Sequence, residues 1–267
     1  SRMAGDPSQP IISLDSAGAM PLVGLGTGAL TGSQCHRAVR YALEVGYRHL
    51  DSATMYDNEH EVGQAVRDSS LPREEVFVTT KLPPEAAGQE RRTLHDSLRA
   101  LQMDYVDLWL IHWPPPGRAL VQTWEQLLAV RDEGPVRAVG VSNHSTSQLD
   151  ELIEATGQAP QVNQIPWAPS LHDPVRLAEH RQRGVVLEGY SPFTNTDLGD
   201  PVLVGIAADY GVSPAQVVVR WHLDHGVVVI PRSASRERIA ANFDVFGFSL
   251  SDEELGRING LSTGRRR

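Results

Sequence analysis

The chain has a single cysteine, Cys35, among 267 residues. It cannot form an internal disulfide, so stability has to come from a packed core, and nothing calls for an oxidising compartment. No apolar run approaches the ~18 residues that read as a membrane-spanning helix. Basic residues are in the minority, 24 Lys and Arg against 33 Asp and Glu, for a net charge of −9. That balance argues against nucleic acid or an anionic membrane as partner, and any anionic cofactor would need local cations to hold it. No composition shift or long linker divides the chain. Residues 1–267 therefore read as one domain, with a flexible lead-in over about 1–10 and a short tail over 262–267. The expected setting is cytoplasmic. A monomer is expected, since no surface stripe stands out.

What is present is a core-sized hydrophobic fraction of 40% and an unbroken alternation of β-rich and helical segments. After a hairpin over 11–14 and 21–24, strands are predicted at 25–27, 49–51, 76–80, 106–111, 136–142, 161–164, 185–190 and 227–231. Helices follow them at 33–45, with Ser33 as its cap, then 59–68, 89–101, 121–132, 145–155, 174–183, the pair 201–210 and 214–224, and 235–243. A last helix covers 251–259. The strands are continuous apolar runs, as expected for a parallel sheet covered on both faces. Eight such units in roughly 250 residues fit a (β/α)₈ TIM barrel better than an open doubly wound sheet, here with an N-terminal β-hairpin cap and extra helices.

Barrel chemistry sits at the C-terminal ends of the strands. Asp51, Lys81, His112, Ser142, Gln164, Tyr190 and Arg232 all fall there, and Tyr56 follows Asp51 in the next loop. Scattered residues thus become one ring. Within it, an ammonium from Lys81 would stabilise the phenolate of Tyr56 and lower its pKa from ~10, with Asp51 holding Lys81 in place. His112 can donate to a carbonyl oxygen and set it against Tyr56. This set suits protonation of a carbonyl that gains a hydride, with no metal.

For the hydride donor, the loop after the last strand and the helix it opens form a common barrel phosphate site. Arg232, Ser233 and Arg238 can clamp a phosphate there, and Asn242, one turn beyond Arg238, can reach an adenine. Two arginines around a serine suit a 2′-phosphate, hence NADP. Ser142, Asn143 and Gln164 can bond a carboxamide, and Tyr190 can stack on its ring. The run G-L-G-T-G-A-L at 24–30 lacks the dinucleotide-fold spacing. It reads as a tight turn that brings backbone to the ligand, with Thr27 beside the cofactor.

Two other readings stand beside this one. A metal-dependent hydrolase would draw ligands from His49, Asp51, His112, His144 and His172, although these are not at matched depths. A nucleotide-binding regulatory protein would keep the fold without turnover.

The motifs D-S-A-x-x-Y-x-N-E, K-L, L-I-H-W-P, V-G-V-S-N, Q-V-N-Q, G-Y-S-P and V-I-P-R-S together resemble the aldo-keto reductase family over nearly the whole chain. The bacterial branch that includes 2,5-diketo-gluconate reductases is the most similar. The resemblance implies an NADP(H)-dependent reductase of small-molecule carbonyls. Tyr56 would be the general acid, tuned by Lys81 and Asp51, and His112 would position the substrate. Ser142, Asn143, Gln164, Tyr190 and Ser191 would hold the nicotinamide, and Arg232, Ser233, Arg238 and Asn242 the adenosine 2′-phosphate. The chain departs from the family at four places. Arg232 replaces a usual Lys. Pro166, Trp167 and Ala168 replace a more polar run, which should leave that stretch drier. Ala241 replaces an acid, which should loosen the grip on adenosine. The sequence stops soon after Leu261, so an open pocket edged by Met55, Trp113 and Phe193 is expected.

Overall fold

The computed structural model describes residues 9–263, and the expectations for 1–8 and 264–267 lie outside them. A hairpin, β1 (Ile11–Ser13) and β2 (Ala19–Pro21), precedes the barrel. The barrel units are then β3 (Leu25–Gly26) and α1 (Gly32–Val45), β4 (His49–Asp51) and α2 (Glu59–Asp68), β5 (Phe77–Leu82) and α3 (Glu90–Leu101), and β6 (Val106–Ile111) and α4 (Ala119–Glu133). They continue with β7 (Val136–Ser142) and α5 (Thr146–Thr156), β8 (Val162–Pro166) and α6 (Pro174–Gln182), and β9 (Val186–Tyr190) with α7 (Pro201–Tyr210) and α8 (Pro214–Asp224). The last unit is β10 (Val228–Val229) and α9 (Arg236–Phe243), followed by α10 (Asp252–Asn259).

Strands β3 to β10 form one parallel sheet in sequence order. Parallel bridges Val23–Val229 and Gly26–Arg232 join its two edges, so the sheet closes into the (β/α)₈ barrel expected. Helices α5 to α10 start where short polar side chains satisfy free backbone N–H groups. Ser145, Ser213 and Ser251 form capping boxes with Gln148, Gln216 and Glu254, while Asp173 and Asp200 cap helices that open on proline. The core includes Trp109, Trp124, Trp167 and Trp221, all fully buried.

Many element ends lie one or two residues from expectation, and three of the differences have a clear local reason. β2 ends at Pro21 because Gly24 turns away to donate to Val229 O at 2.9 Å, and Val229 donates to Leu22 O at 2.8 Å; these bonds close the barrel. β10 is short because Pro231 has no N–H for the ladder, although its carbonyl still accepts from Gly26 at 3.2 Å. α1 begins at Gly32 after Thr31 rather than being capped by Ser33, and no side chain caps it. The hairpin lies at the N-terminal end of the barrel, tied by Gln161 donating to Leu14 O at 3.0 Å. The opposite end is left for chemistry.

Candidate active site

A cavity of about 460 Å³ opens at the C-terminal ends of the strands. Its wall includes Asp51, Tyr56, His112, Ser142, Asn143, Gln164, Tyr190, Ser191 and Arg232, together with Trp113 and Phe193 from the expected substrate edge. Gly26 and Gly28, from the turn expected to bring backbone to the ligand, also line it, and Pro192, Thr194 and Ile230 do so without having carried a site expectation.

The chemistry centres on Lys81, which is fully buried behind the wall. Its ammonium donates to Asp51 Oδ2 at 2.6 Å, Ser52 O at 3.0 Å and Tyr56 Oη at 3.1 Å. An ammonium has three donors, and all three are used. The second Asp51 oxygen, Oδ1, accepts from Gln164 Nε2 at 2.7 Å. A buried ion pair is costly unless its remaining hydrogen-bonding capacity is met, and here each group has partners. Burial works against the charge on Lys81, but Asp51 and Tyr56 together outweigh it, and the ammonium is held above its ordinary pKa. The phenol does not follow the expected direction. Burial raises the pKa of Tyr56 more than the Lys81 charge lowers it, so the phenol holds its proton firmly.

His112 stands edge-on to Tyr56, with ring centroids 5.7 Å apart and planes at 85°. Burial first, and the nearby Lys81 charge second, lower its pKa to about 4, so its imidazole is neutral near pH 7. Its Nδ1 is buried without a hydrogen-bond partner among the described residues.

Around the wall, Asn143 sits in the left-handed region (φ 60°), which asparagine tolerates better than most side chains. This turn lets its Nδ2 donate to His112 O at 3.1 Å while its Oδ1 accepts from Tyr190 Oη at 2.5 Å. Ser142 Oγ donates to Gln164 O at 2.7 Å. Asn143 thus ties the His112 loop to the Tyr190 ring.

Several expected residues are not on the wall. Thr27 is fully buried beneath it, with its hydroxyl donating to Asp51 O at 2.7 Å. Asn242 is buried in α9. Met55 is 53% exposed and outside the lining. Arg238 is exposed on the first turns of α9, with Ser233 half-buried just ahead. Arg232 bridges the mouth by donating to Gly28 O at 3.0 Å. Trp167 and Ala168 are buried, consistent with a dry stretch, and the described C-terminal residues are tied by Thr263 and Ser262 to the carbonyls of Ser170 and His172, off the cavity wall.

The histidines of the metal reading lie in separate surroundings. His144 bonds Ser142 O at 2.8 Å, while His172 packs edge-on against Trp221. Among the described residues no group of three His, Cys, Asp or Glu side chains converges to hold a metal ion.

Sequence reasoning missed the supports. Asn58, fully buried, donates to Thr27 O at 2.8 Å and Leu30 O at 3.0 Å and accepts from Ser52 Oγ at 2.7 Å, clamping two loops of the site. Glu59 accepts from Thr80 Oγ1 at 2.6 Å beside Lys81. Asn58 and Glu59 stand in the same motif as Tyr56, which was the available signal. Glu188 and His49, both fully buried inside the barrel, carried none as a pair.

Known proteins place this arrangement. The sequence model of the aldo/keto reductase family matches residues 18–263. Methylglyoxal reductase DkgA of Escherichia coli is 40% identical over 260 residues, covering 96% of this chain and 94% of the relative. A crystal structure of an aldo/keto reductase from Brucella melitensis superposes with a TM-score of 0.91 at 38% identity, covering 95% of this chain and all of that one. The Bombyx mori aldo-keto reductase, solved in complex with NADP, gives a TM-score of 0.89 at 34% identity, covering 97% of this chain and 94% of that one. Sequence and fold agree along almost the whole length, and the chain belongs to the aldo/keto reductase family.

Proposed function

We propose that this protein reduces small aldehydes and ketones to alcohols with NADPH, with Tyr56 as the proton donor. The observation that carries the reading is the fully used donor set of Lys81. Because Lys81 donates to the Tyr56 oxygen, that oxygen is an acceptor there, and its own proton is left to point into the cavity. NADPH, when bound, would supply the hydride. Tyr56 gives its proton to the oxygen that becomes the alcohol, and the charged Lys81 stabilises the phenolate left behind. Asp51 and Gln164 fix Lys81. His112, neutral near pH 7, donates from Nε2 to the carbonyl oxygen, since a proton on the buried, unpartnered Nδ1 would have no acceptor.

The residues present fit an extended dinucleotide. A Cβ at Gly26 would lie 2.8 Å from Ile230 O, so glycine lets β3 pack closely on the last strand, while one at Gly28 would only reach the edge of ordinary contact with the Tyr56 ring, at 3.4 Å. Tyr190 offers an aromatic face beside the amides of Asn143 and Gln164 and the Ser142 hydroxyl. Ser191 extends that wall. At the far end, Arg232, Ser233 and Arg238 supply the cations and hydroxyl a 2′-phosphate calls for.

The substrate class is small carbonyls, 2-oxoaldehydes such as methylglyoxal among them. The Escherichia coli relative and the modest cavity beside Trp113 and Phe193 support this. One barrel supplies the whole site. The reading is completed by a monomer in the cytoplasm. In support, the exposed large apolar side chains are dispersed over several elements, and the lone Cys35 is buried, with burial pushing its thiol up to about 12. The test is NADPH oxidation by purified protein over a panel of aldehydes, 2-oxoaldehydes and diketones. Turnover with several is expected. Tight NADPH binding with no turnover across the panel would instead indicate the regulatory role.

A further inference from the structure

Beneath the Asp51–Lys81–Tyr56 chain lies a second pair of ionisable groups that the reaction above does not use. Glu188 on β9 and His49 on β4 point into the barrel, both fully buried, with Glu188 Oε2 3.5 Å from His49 Nε2. Among the described residues neither Glu188 oxygen has a well-formed hydrogen bond, and neither does His49 Nε2. The Gln164 amide gives one N–H to Asp51 Oδ1, and its second is near enough to favour a charge on Glu188 without making a well-formed bond to it. The packing gives the ring little freedom, since a Cβ at Gly24 would lie 2.7 Å from His49 Cγ.

The protonation of this pair follows from its partners. His49 Nδ1 lies 3.0 Å from Pro21 O. A carbonyl only accepts, so Nδ1 carries a proton, and the Nε2 of a neutral ring is then a bare lone pair facing Glu188. Two lone pairs facing each other in a dry interior would be repulsive, and an uncompensated carboxylate there would be costly. A proton on Glu188 removes both problems.

The geometry points to Glu188 as a positioning residue: a neutral carboxylic acid that keeps its proton against His49 Nε2, and whose ionisation in alkali helps Tyr56 retain its own. This rests on Tyr56 being the general acid. The pKa of Glu188 is raised to about 8, by burial first and by the Asp51 charge second. That of His49 is lowered to about 4 by burial. Between those values the pair is neutral. The groups around Glu188 are His49 and Asp51 from β4, Lys81 from β5, Tyr56 from the loop after β4, and Tyr190 on β9 itself; β3 and β10 present only Leu25, Gly26, Val228 and Val229. Behind β9, the α8 residue His222 is occupied by Val218 O at 2.8 Å. Of these groups, Asp51 disfavours ionisation of Glu188 and Lys81 favours it. Once ionised, Glu188 raises the pKa of Tyr56.

Glu188→Gln tests this, because it keeps the shape and its amide can donate to His49 Nε2. Three readouts apply. In infrared spectra at pH 6.5, the unaltered protein is expected to show a protonated-carboxyl band that the variant lacks. In single-turnover reduction, the alkaline fall in rate is expected to move to lower pH in the variant, because Tyr56 loses the nearby negative charge. An unmoved alkaline limb, or an upward shift, overturns the proposal, as does the absence of that band difference. For stability, an acid with a raised folded pKa favours the fold below its unfolded value near 4.5, and that advantage is lost as pH rises through about 8. The Tm of the variant should therefore gain on that of the unaltered protein between pH 5 and pH 9, even if the variant is less stable throughout. A Tm gap that does not change with pH overturns the proposal. If instead Tyr56→Phe keeps near-normal turnover, it is the general-acid reading that fails, and the infrared and Tm results for Glu188 stand apart from it.

Discussion

At one end of the cavity, Asp51, Lys81 and Gln164 are each no more than 2% exposed, and the three donors of the ammonium are all taken. At the other end, Arg238 stands in solvent, and Arg232 donates to a backbone carbonyl, that of Gly28. The buried end is arranged before any ligand arrives. Fixed dipoles and charges in a dry site need no reorganisation during reaction, and that is where electrostatic stabilisation is largest. The exposed end carries its cations on long side chains in or near solvent, and each must be ordered when a ligand binds. On the reading above, loss at the first end should appear in the rate of the chemical step, and loss at the second in cofactor affinity.

The sharpest way to break this division is Tyr56→Phe. It removes the proton and leaves the third Lys81 donor without its oxygen acceptor. A general acid typically contributes 10²- to 10⁴-fold, so turnover should fall by about that factor, while NADPH affinity by fluorescence titration stays within about twofold. A fall of only a few-fold would mean that the proton comes from elsewhere.

Arg238→Ala probes the other end with a smaller effect. A charge-assisted hydrogen bond contributes roughly 1.5–3 kcal/mol, so Kd for NADPH should rise about 10- to 100-fold, with NADH and single-turnover rates nearly unchanged. Arg238 is the cleaner choice, because removing Arg232 would also release the contact across the mouth to Gly28. Equal loss for NADH and NADPH would remove the 2′-phosphate assignment.

The same contrast explains what could be read from the sequence. Eight apolar runs spaced by helices implied the barrel, and its geometry then gathered Asp51, Lys81, His112, Ser142, Gln164 and Tyr190 at one end, because strand ends are fixed by chain order. The supports were harder to read. Glu188 lies two residues before Tyr190 on the same face of β9, and only the barrel interior brings it to His49 on β4. Asn58 stood in a recognised motif, yet its clamp on Thr27 and Leu30 depends on the path of the β3–α1 loop. Thr27 was expected beside the ligand, but its hydroxyl is spent on Asp51 O. The expected depression of the Tyr56 pKa failed for a related reason: spacing shows that an ammonium is near, but not how much water burial removes.

The smallest expected effect is a flat response, and it bears on His112. Burial and the Lys81 charge hold its pKa near 4, below the ordinary value of 6.5. The imidazole is therefore neutral throughout pH 5 to 7, and its charge begins to appear only as pH falls towards 4. In the same direction, the folded state gives up stability as pH drops from 6.5 through 4, because the unfolded chain takes up this proton first. The single-turnover rate of reduction should accordingly vary by less than about twofold between pH 5 and pH 7, measured so that product release does not mask the chemical step. An inflection near pH 6.5 that disappears in His112→Asn would mean that the imidazole is charged in the working site. In that case the Lys81 ammonium would not be acting on His112 as the geometry implies, and the boundary between the dry and solvated ends of the cavity would have to move inward past His112.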